Sequence, residues 1–232
     1  MKQLVARAIV LSRTDFGEAD RIITFLTPDN GKLRLIARGV RRAKSRLAGG
    51  IELFSVSDIT YMMGKSGRDG LGTLISARLD THYGHIVQDI LRVQLGYDLI
   101  KLLHKITEDE PESDYFDLLQ QAFAGLNGDL DVDVIRLWFM AQLLRLSGSS
   151  PNLATDTAGA KLVADALYNF DFDSMAFAPH PAAHLSAAHI KVMRLLFNMP
   201  DLATLRQIQG IAHLLPDIAP LLHAMRQTYL RV

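Results

Sequence analysis

The chain has 232 residues, 49% of them hydrophobic and 22% charged, which excludes wholesale disorder and is ordinary for folded globular domains. It has no cysteine, which excludes disulfides and thiolate metal sites, and no apolar stretch approaches the ~18 residues that a membrane span requires. The first residues carry spaced cations and lack the pattern of a signal peptide, so we expect a cytoplasmic protein.

Charge is unevenly distributed along the chain, although the formal net charge is zero. Residues 1–80 contain 14 Lys and Arg against 8 Asp and Glu, whereas residues 81–232 contain 11 against 17. The net charge therefore changes from +6 to −6 where the hydrophobic pattern changes from strand to helix periodicity. We predict two domains, a nucleic-acid-binding domain over 1–80 and a helical partner-binding domain over 81–232.

The first eighty residues show the short apolar runs and turn sequences of an antiparallel β structure. Leu33, Leu35 and Ala37 alternate with Arg34 and Ile36, which predicts a strand with one buried face. The predicted strands are residues 5–11, 22–27, 33–38, 51–62 and 71–79. The pattern predicts an α+β protein that begins with a five-stranded OB-type β-barrel, with a small SH3-like barrel as the alternative.

The most distinctive feature of this half is a basic segment that has no acidic residue between Asp29 and Glu52. Its seven cations are Lys32, Arg34, Arg38, Arg41, Arg42, Lys44 and Arg46. Positive charges at this density repel one another unless a polyanion screens them, and a phosphate backbone supplies one. We predict DNA binding by these residues, the alternative being a solvated basic loop.

Aromatic side chains that could stack on bases are few in the basic half. Phe16, Phe25, Phe54 and Tyr61 fit the barrel core better than an exposed platform. We therefore expect contacts mainly to the phosphate backbone, with little sequence preference.

Beyond Thr81 the apolar residues follow helical spacing. The stripe of the first predicted helix consists of Ile86, Ile90, Val93, Tyr97, Ile100 and Leu103. Further helices are predicted at residues 115–126, 132–146, 190–197, 205–214 and 218–230. Residues 148–185, rich in Gly and Pro, are expected to be irregular, with one short helix-like patch at 160–167.

Two segments of the basic half resemble the RecO family of recombination mediators. They are SRTDFGEADRII at 12–23 and, after Gly31-Lys32, ARGVRRAKSRL at 37–47. The resemblance covers roughly residues 5–105 and includes LGTL at 71–74. It implies an OB fold followed by a helical domain, with a role in DNA repair and recombination in the bacterial cytoplasm at the nucleoid.

The resemblance also implies activities and partners. These are binding of single- and double-stranded DNA, strand annealing, and help in loading RecA on DNA coated by single-strand-binding protein within the RecF pathway. The implied protein partners are RecR and the C-terminal tail of single-strand-binding protein.

The sequence departs from the family at the position of a metal site. Many RecO proteins carry a four-cysteine zinc motif in the helical domain, but the matching stretch here has no cysteine. Asp156, His180, His184 and His189 are the candidate ligands in or next to this stretch. We therefore expect no metal and no cofactor, with packing or helix capping in place of zinc.

A receptor for an acidic tail with an apolar end needs an apolar pocket flanked by cations. Arg136 and Arg145 bracket Trp138, Phe139 and Leu143 in one predicted helix. Arg92 and Lys101 lie on the first predicted helix and complete the candidate partner-binding residues. In the competing interpretation the aromatic residues belong to the core and the arginines are solvated.

Known catalytic motifs are missing from the sequence. It has no cysteine nucleophile, no Gly-x-Ser-x-Gly elbow and no Walker-type loop. Asp15, Glu18 and Asp20 suggest a metal-dependent nuclease, but such residues in a turn more often form local hydrogen bonds. We predict no enzymatic activity, and keep as the alternative an interaction scaffold whose basic loop binds an acidic protein.

Overall fold

A computed structural model describes residues 2–64, 70–107, 113–199, 201–205 and 210–230. It divides the chain into two compact units, Met1–Gly128 and Asp129–Val232. None of the helices within those ranges is long and apolar enough to cross a membrane.

The first unit begins with five strands that close into a barrel. They are β1 (Leu4–Phe16), β2 (Asp20–Thr27), β3 (Gly31–Ala37), β4 (Ser55–Met62) and β5 (Gly72–His82). Their order around the barrel is β1-β2-β3-β5-β4, and all neighbours are antiparallel except β3 and β5. The structure confirms the predicted five-stranded OB-like barrel in an α+β protein.

The barrel interior follows the predicted alternation. Leu33, Leu35 and Ala37 of β3 are at most 2% exposed and pack against Ile23 and Phe25 of β2 in one core cluster. Because side chains alternate along a strand, Arg34 of β3 is directed to the outer face.

Two helices complete the first unit. They are α1 (Ile90–Ile106) and α2 (Ser113–Asn127), and Asp89 caps α1 by accepting hydrogen bonds from the backbone N–H groups of Leu91 and Arg92. Phe54, just before β4, has its ring centroid 5.3 Å from Tyr97 of α1 and 5.5 Å from Phe123 of α2. These edge-to-face contacts hold both helices against the barrel.

The buried face of α1 differs from the predicted stripe. Ile90 is 76% exposed and Tyr97 is 40% exposed, whereas Ile100 and Leu103 of the predicted stripe are buried together with Leu95 and Leu99. The reason is local: residues Ile86–Gln88 form a separate 3-10 turn, and extended Asp89 resets the helical phase before α1 begins. A stripe counted from Ile86 is therefore wrong at Ile90 and Tyr97 and agrees with the buried face of α1 at Ile100 and Leu103.

The second unit contains helices and one small sheet. The helices are α3 (Val132–Leu146), α4 (Ala187–Asn198), α5 (Leu202–Leu205) and α6 (Leu215–Tyr229). The sheet consists of β6 (Leu167–Asp171), β7 (Ala176–Pro179) and β8 (Leu185–Ser186). Its strand order is β7-β6-β8.

Two expectations for this unit were wrong. Residues 148–185 are not irregular throughout, because they contain the small sheet, and the patch at 160–167 holds a β-bridge, turns and the start of β6 instead of a helix. Of the helix expected at 205–214, Leu205 ends α5, Gly210 and Ile211 lie in no helix, and Ala212–Leu214 form a 3-10 turn; residues 206–209 lie outside the described part.

Aromatic packing and backbone hydrogen bonds hold the stretch where the family's zinc motif would lie. The Phe177 ring lies 5.3 Å from Phe170 and 6.2 Å from Tyr168 between ring centroids. The Asp156 carboxylate accepts hydrogen bonds from the N–H groups of Ala158 and Ala160, both at 2.9 Å. Aromatic contacts and local hydrogen bonds thus stabilise this stretch.

The residues of this stretch do not fit a zinc ion. His180 and His184 are exposed, and His189 is used in a capping box with Ser186 and a 3.1 Å contact to Asp217. Within the described part of the chain, no three His, Asp or Glu side chains group as metal ligands. With neither thiolates nor a converging set of donors, the site offers zinc no tetrahedral shell.

Candidate nucleic-acid interface

The outer face of β1, β2 and β3 forms a continuous surface beside the basic segment. Strand pairing arranges its residues in three cross-strand rows: Ser12, Thr24 and Arg34; Thr14, Ile22 and Ile36; and Phe16 with Asp20. Directly opposite residues in paired strands have Cβ atoms about 5 Å apart, so each row is contiguous. This is the face that OB folds use for oligonucleotides.

The basic loop, which we define as residues 38–50, is tied at its base to the turn between β1 and β2. The Gly39 N–H donates to the Asp20 carboxylate at 2.7 Å, and the Arg41 N–H donates to the Ala19 carbonyl at 3.0 Å. The Arg41 guanidinium also reaches the Gly17 carbonyl at 3.4 Å. These bonds hold the start of the loop beside the outer face.

Asp15 is the acidic residue at the centre of this connection. Its carboxylate accepts a hydrogen bond from Arg21 at 2.8 Å and lies 3.5 Å from the Arg41 guanidinium. The Arg21 hydrogen bond lowers the pKa of Asp15 against the opposing effect of desolvation, and the nearby charges of Arg41 and Arg21 lower it further.

The arrangement speaks against the nuclease hypothesis. Asp15 is paired with two arginines and Asp20 accepts a backbone N–H, so both carboxylates are used in holding the turn and the loop. Within the described residues they form no cluster of metal-ligating side chains with Glu18. Local hydrogen bonding, the competing interpretation from the sequence, accounts for Asp15 and Asp20.

The seven predicted DNA-binding residues divide into two groups. Lys32 donates from Nζ to the His104 carbonyl at the C-terminal end of α1, at 3.3 Å, and Arg41 makes the contacts described above. The other five are exposed and form no ion pair with any carboxylate that the structure describes: Arg34, Arg38, Arg42, Lys44 and Arg46. These five cations are accessible to a polyanion.

Three of the four aromatic side chains lie in the core as expected. Phe25, Phe54 and Tyr61 are at most 3% exposed. The expectation for Phe16 was wrong, because its side chain is 49% exposed at the end of the outer face. The sequence signal was present: Phe16 alternates in phase with Ser12 and Thr14, on a strand that continues five residues beyond its predicted end at Leu11.

The structure places the candidate partner-binding cations on α1 of the first unit and on α3 of the second. Trp138, Phe139 and Leu143 are 0% exposed, which confirms that they belong to the core. Most of the cations are engaged with neighbours in their own unit: Arg92 donates to the Leu126 carbonyl at 2.7 Å, Arg136 lies 3.6 Å from Asp133, and Arg145 donates to Gln142 at 2.9 Å. Lys101 is exposed on α1.

An open cleft that the sequence did not reveal lies elsewhere in the second unit. It has a volume of about 590 Å³ and is bounded by residues 150–155, Leu162 and the end of α4 at Phe197. Lys161 and Arg194 border it, with Arg194 donating to the Leu153 carbonyl at 2.8 Å. The cleft therefore combines apolar surface with two cations.

Comparison with known proteins gives the same family over both halves. The family model described as "Recombination protein O N terminal" matches residues 1–82, and "Recombination protein O C terminal" matches residues 87–232. The predicted boundary at residue 80 between two functional domains stays a prediction, since the compact units divide after Gly128.

Several curated relatives carry the name "DNA repair protein RecO". The chain is 34% identical to that of Halalkalibacterium halodurans over 64% of its own length and 57% of the relative's. It is 35% identical to that of Rhodopirellula baltica over 62% of its own length and 53% of the relative's. It is 30% identical to that of a Roseiflexus species over 97% of its own length and 78% of the relative's. The matches to the first two relatives thus span little more than half of those proteins' length.

Proposed function

The chain belongs to the RecO family of DNA repair proteins, and from this premise we propose that it is a non-enzymatic mediator that binds DNA through its barrel and basic loop. The observation that carries the proposal is the group of five exposed cations, of which Arg34 lies on the outer face of β3 and the other four lie in the basic loop, whose start is tied to the turn between β1 and β2. Only Arg41 of the loop is paired with a described carboxylate.

Phosphate contacts explain why such a surface would bind DNA with little regard to sequence. Each cation that meets a phosphate releases a condensed counterion, which makes the association favourable at low salt and weaker as salt rises. Arg38, Arg42 and Lys44 come from one loop that is anchored beside the strands, so ordering it on DNA costs less conformational entropy than ordering a free tail. The bases are left available for pairing with a second strand.

From these contacts we propose strand annealing as the activity. Two complementary strands repel each other through their phosphates, and cations bound along one strand reduce that repulsion while its bases stay exposed. Loading of RecA on DNA coated by single-strand-binding protein, within the RecF pathway and with RecR as partner, is the wider role proposed on the family premise.

For the acidic tail of single-strand-binding protein we propose the open cleft as the receptor. It has the apolar surface and the flanking cations, Lys161 and Arg194, that an acidic peptide with an apolar end requires.

A labelled tail peptide tests this receptor. The peptide should bind the wild type, and Lys161→Glu should weaken binding on the order of tenfold by reversing a charge. Lys191→Glu, at an exposed position of α4 outside the cleft lining, is the matched control. Equal weakening by both variants would contradict the assignment.

DNA binding is tested with oligonucleotides of unrelated sequence in a gel-shift assay at low salt. The Arg38→Ala/Arg42→Ala/Lys44→Ala variant should bind single-stranded DNA on the order of tenfold or more weakly, because three exposed cations are removed. Arg41 is left in place because its contacts to Asp15 and Gly17 hold the loop. The control, Lys105→Ala/Lys161→Ala/Lys191→Ala, removes the same charge from exposed positions elsewhere.

The result separates the proposal from the scaffold alternative. If the wild type shifts no oligonucleotide at low salt, the basic loop serves an acidic protein and the DNA-binding proposal is wrong. If both triple variants lose affinity equally, net charge matters and the loop is not the site. Annealing is then measured with bare complementary strands, where no tail peptide is involved and the loop variant should be slow and the control variant normal.

A further inference from the structure

Phe16 is an exposed aromatic side chain in charged and polar surroundings. It ends β1, is 49% exposed, and has the polar residues Thr14 and Asp20 as its neighbours on the outer face. The next residue, Gly17, has φ +60° with no heavy atom within 4 Å of an added Cβ, so the chain turns there through a left-handed conformation that glycine adopts without strain. The turn leaves the ring at an open edge of the face.

The cations lie to one side of this ring. Asp20, opposite Phe16 in the strand pairing, accepts the Gly39 N–H at 2.7 Å, which brings the start of the basic loop next to β2. Arg38 is therefore two strand spacings from Phe16, on the order of 10 Å. On the other side, exposed Glu18 in the turn disfavours a phosphate. The surface is thus divided into a phosphate-attracting side and an aromatic side.

Half-buried Ile22 and Ile36 continue the face between the ring and the cations. Their aliphatic surface gives a nucleobase an apolar floor without offering it a hydrogen-bond pattern to read. A protein partner would need a contiguous interface of about 1,000 Å² or more, and a lone ring bordered by carboxylates does not provide an apolar centre for one. A flat base matches the ring in size and in chemistry.

We propose that Phe16 is a stacking platform for an unpaired base, so that the barrel distinguishes single-stranded from duplex DNA while the basic loop holds the backbone. This inference rests on the proposed DNA binding and adds to it the chemistry of the base. In a duplex the faces of the bases are stacked on one another and cannot cover the ring. The platform therefore contributes only when a strand is open.

The test compares a thymidine oligomer with an abasic oligomer of the same length, which keeps the phosphates and lacks the bases. Phe16→Ala should weaken binding of the thymidine oligomer about 5-fold to 100-fold, the range of one lost base–aromatic stack. It should leave binding of the abasic oligomer and of duplex DNA unchanged. Val5→Ala removes another exposed apolar side chain of β1, 72% exposed, and should change none of the three.

A conservative variant shows whether the ring itself is needed. Phe16→Trp should keep the affinity for the thymidine oligomer, whereas Phe16→Leu should lose it although leucine preserves apolar surface. The added indole also reports directly, because the only natural tryptophan, Trp138, is 0% exposed. Its fluorescence should be quenched by the thymidine oligomer and not by the abasic one.

The outcomes keep the two proposals apart. If the wild type binds neither oligomer, the proposed DNA binding itself is wrong. If it binds both oligomers with equal affinity, or if Phe16→Ala binds the thymidine oligomer as tightly as the wild type, the phosphate contacts stand and the stacking platform is wrong.

Discussion

At the scale of single residues, the clearest role belongs to side chains that position others. Arg41 was predicted to bind DNA and Asp15 to form local hydrogen bonds in a turn, and the structure places their charged groups 3.5 Å apart. Arg41 also contacts the Gly17 and Ala19 carbonyls through its side chain and backbone. A residue type and its spacing suggested chemistry here, but the partners within the fold decide what each group does.

The Asp15 carboxylate makes acid stability testable. Its pKa is lowered in the folded protein, mainly by the Arg21 hydrogen bond, so the ionised form stabilises the fold. This contribution is fully present above the unfolded-state pKa of about 4 and is lost as the pH falls through the lower folded-state pKa. Between about pH 6 and about pH 3, a range that includes the unfolded-state pKa, Asp15→Asn should therefore lose less stability than the wild type.

Urea unfolding at the two pH values measures this difference. Asp165→Asn, an exposed aspartate in the second unit, is the control and should keep the pH dependence of the wild type. If Asp15→Asn and the wild type lose the same stability in acid, the pair with Arg21 and Arg41 has no energetic role.

At the scale of elements, the contact of α1 with the barrel depends on one glycine. A Cβ on Gly96 would lie 2.6 Å from Cε1 of Phe54, whose ring is 3% exposed and also contacts Tyr97 and Phe123. Gly96→Ala should gain about 1 kcal/mol in helix propensity and lose about 2–3 kcal/mol through overpacking, because a 2.6 Å approach is much shorter than an ordinary carbon–carbon contact. We expect net destabilisation of about 1–2 kcal/mol.

Chemical denaturation measures that cost as a lower free energy of unfolding. Gly49→Ala is a suitable control, since its added methyl group meets no heavy atom within 4 Å. A Gly96→Ala variant as stable as the wild type would mean that Phe54 moves aside freely and does not fix α1.

The strands and helices also show how far sequence patterns reach. All five strands of the barrel could be predicted because alternation and turn residues are local signals. The end of β1 was placed too early, at Leu11, whereas the strand continues to Phe16. A register shift between Val10 and Ser12 interrupts the alternation where β1 changes its pairing from β4 to β2. That interruption hid the last part of β1 and with it the exposure of Phe16.

Longer-range contacts account for what the sequence did not reveal in the second unit. Buried Gln142 donates from Nε2 to the Leu196 carbonyl at 2.6 Å and so satisfies the end of α4 from a different helix. The small sheet forms from strands of two to five residues, too short for an alternation pattern to be distinguished from a loop. Neither the Gln142 contact nor the small sheet can therefore be predicted from a short stretch of neighbouring residues.

At the scale of the whole molecule, the charge asymmetry follows the barrel more closely than the compact units. Residues 1–80 contain 14 cations against 8 acidic residues, but residues 1–128 contain 17 against 16. The first unit is thus nearly neutral, with an excess of positive charge on the barrel and of negative charge in residues 81–128. Its attraction for a polyanion is local to the barrel, and falls off within about 10 Å at moderate salt.

Locality of the charge leads to a specific salt dependence. For single-stranded DNA the logarithm of the binding constant falls by roughly 0.7 per phosphate contact for each unit of log salt, so four or five contacts give a slope of roughly −3. Removing Arg38, Arg42 and Lys44 leaves two of the five exposed cations and should reduce the slope to roughly −1.4, whereas the control triple variant keeps −3. Fluorescence anisotropy over a salt series measures both slopes.

The same salt series separates the role of Phe16 from that of the cations. Because a stacked base releases no counterion, Phe16→Ala should lower the binding constant at every salt concentration without changing the slope. A change of slope in that variant would mean that Phe16 positions the cations.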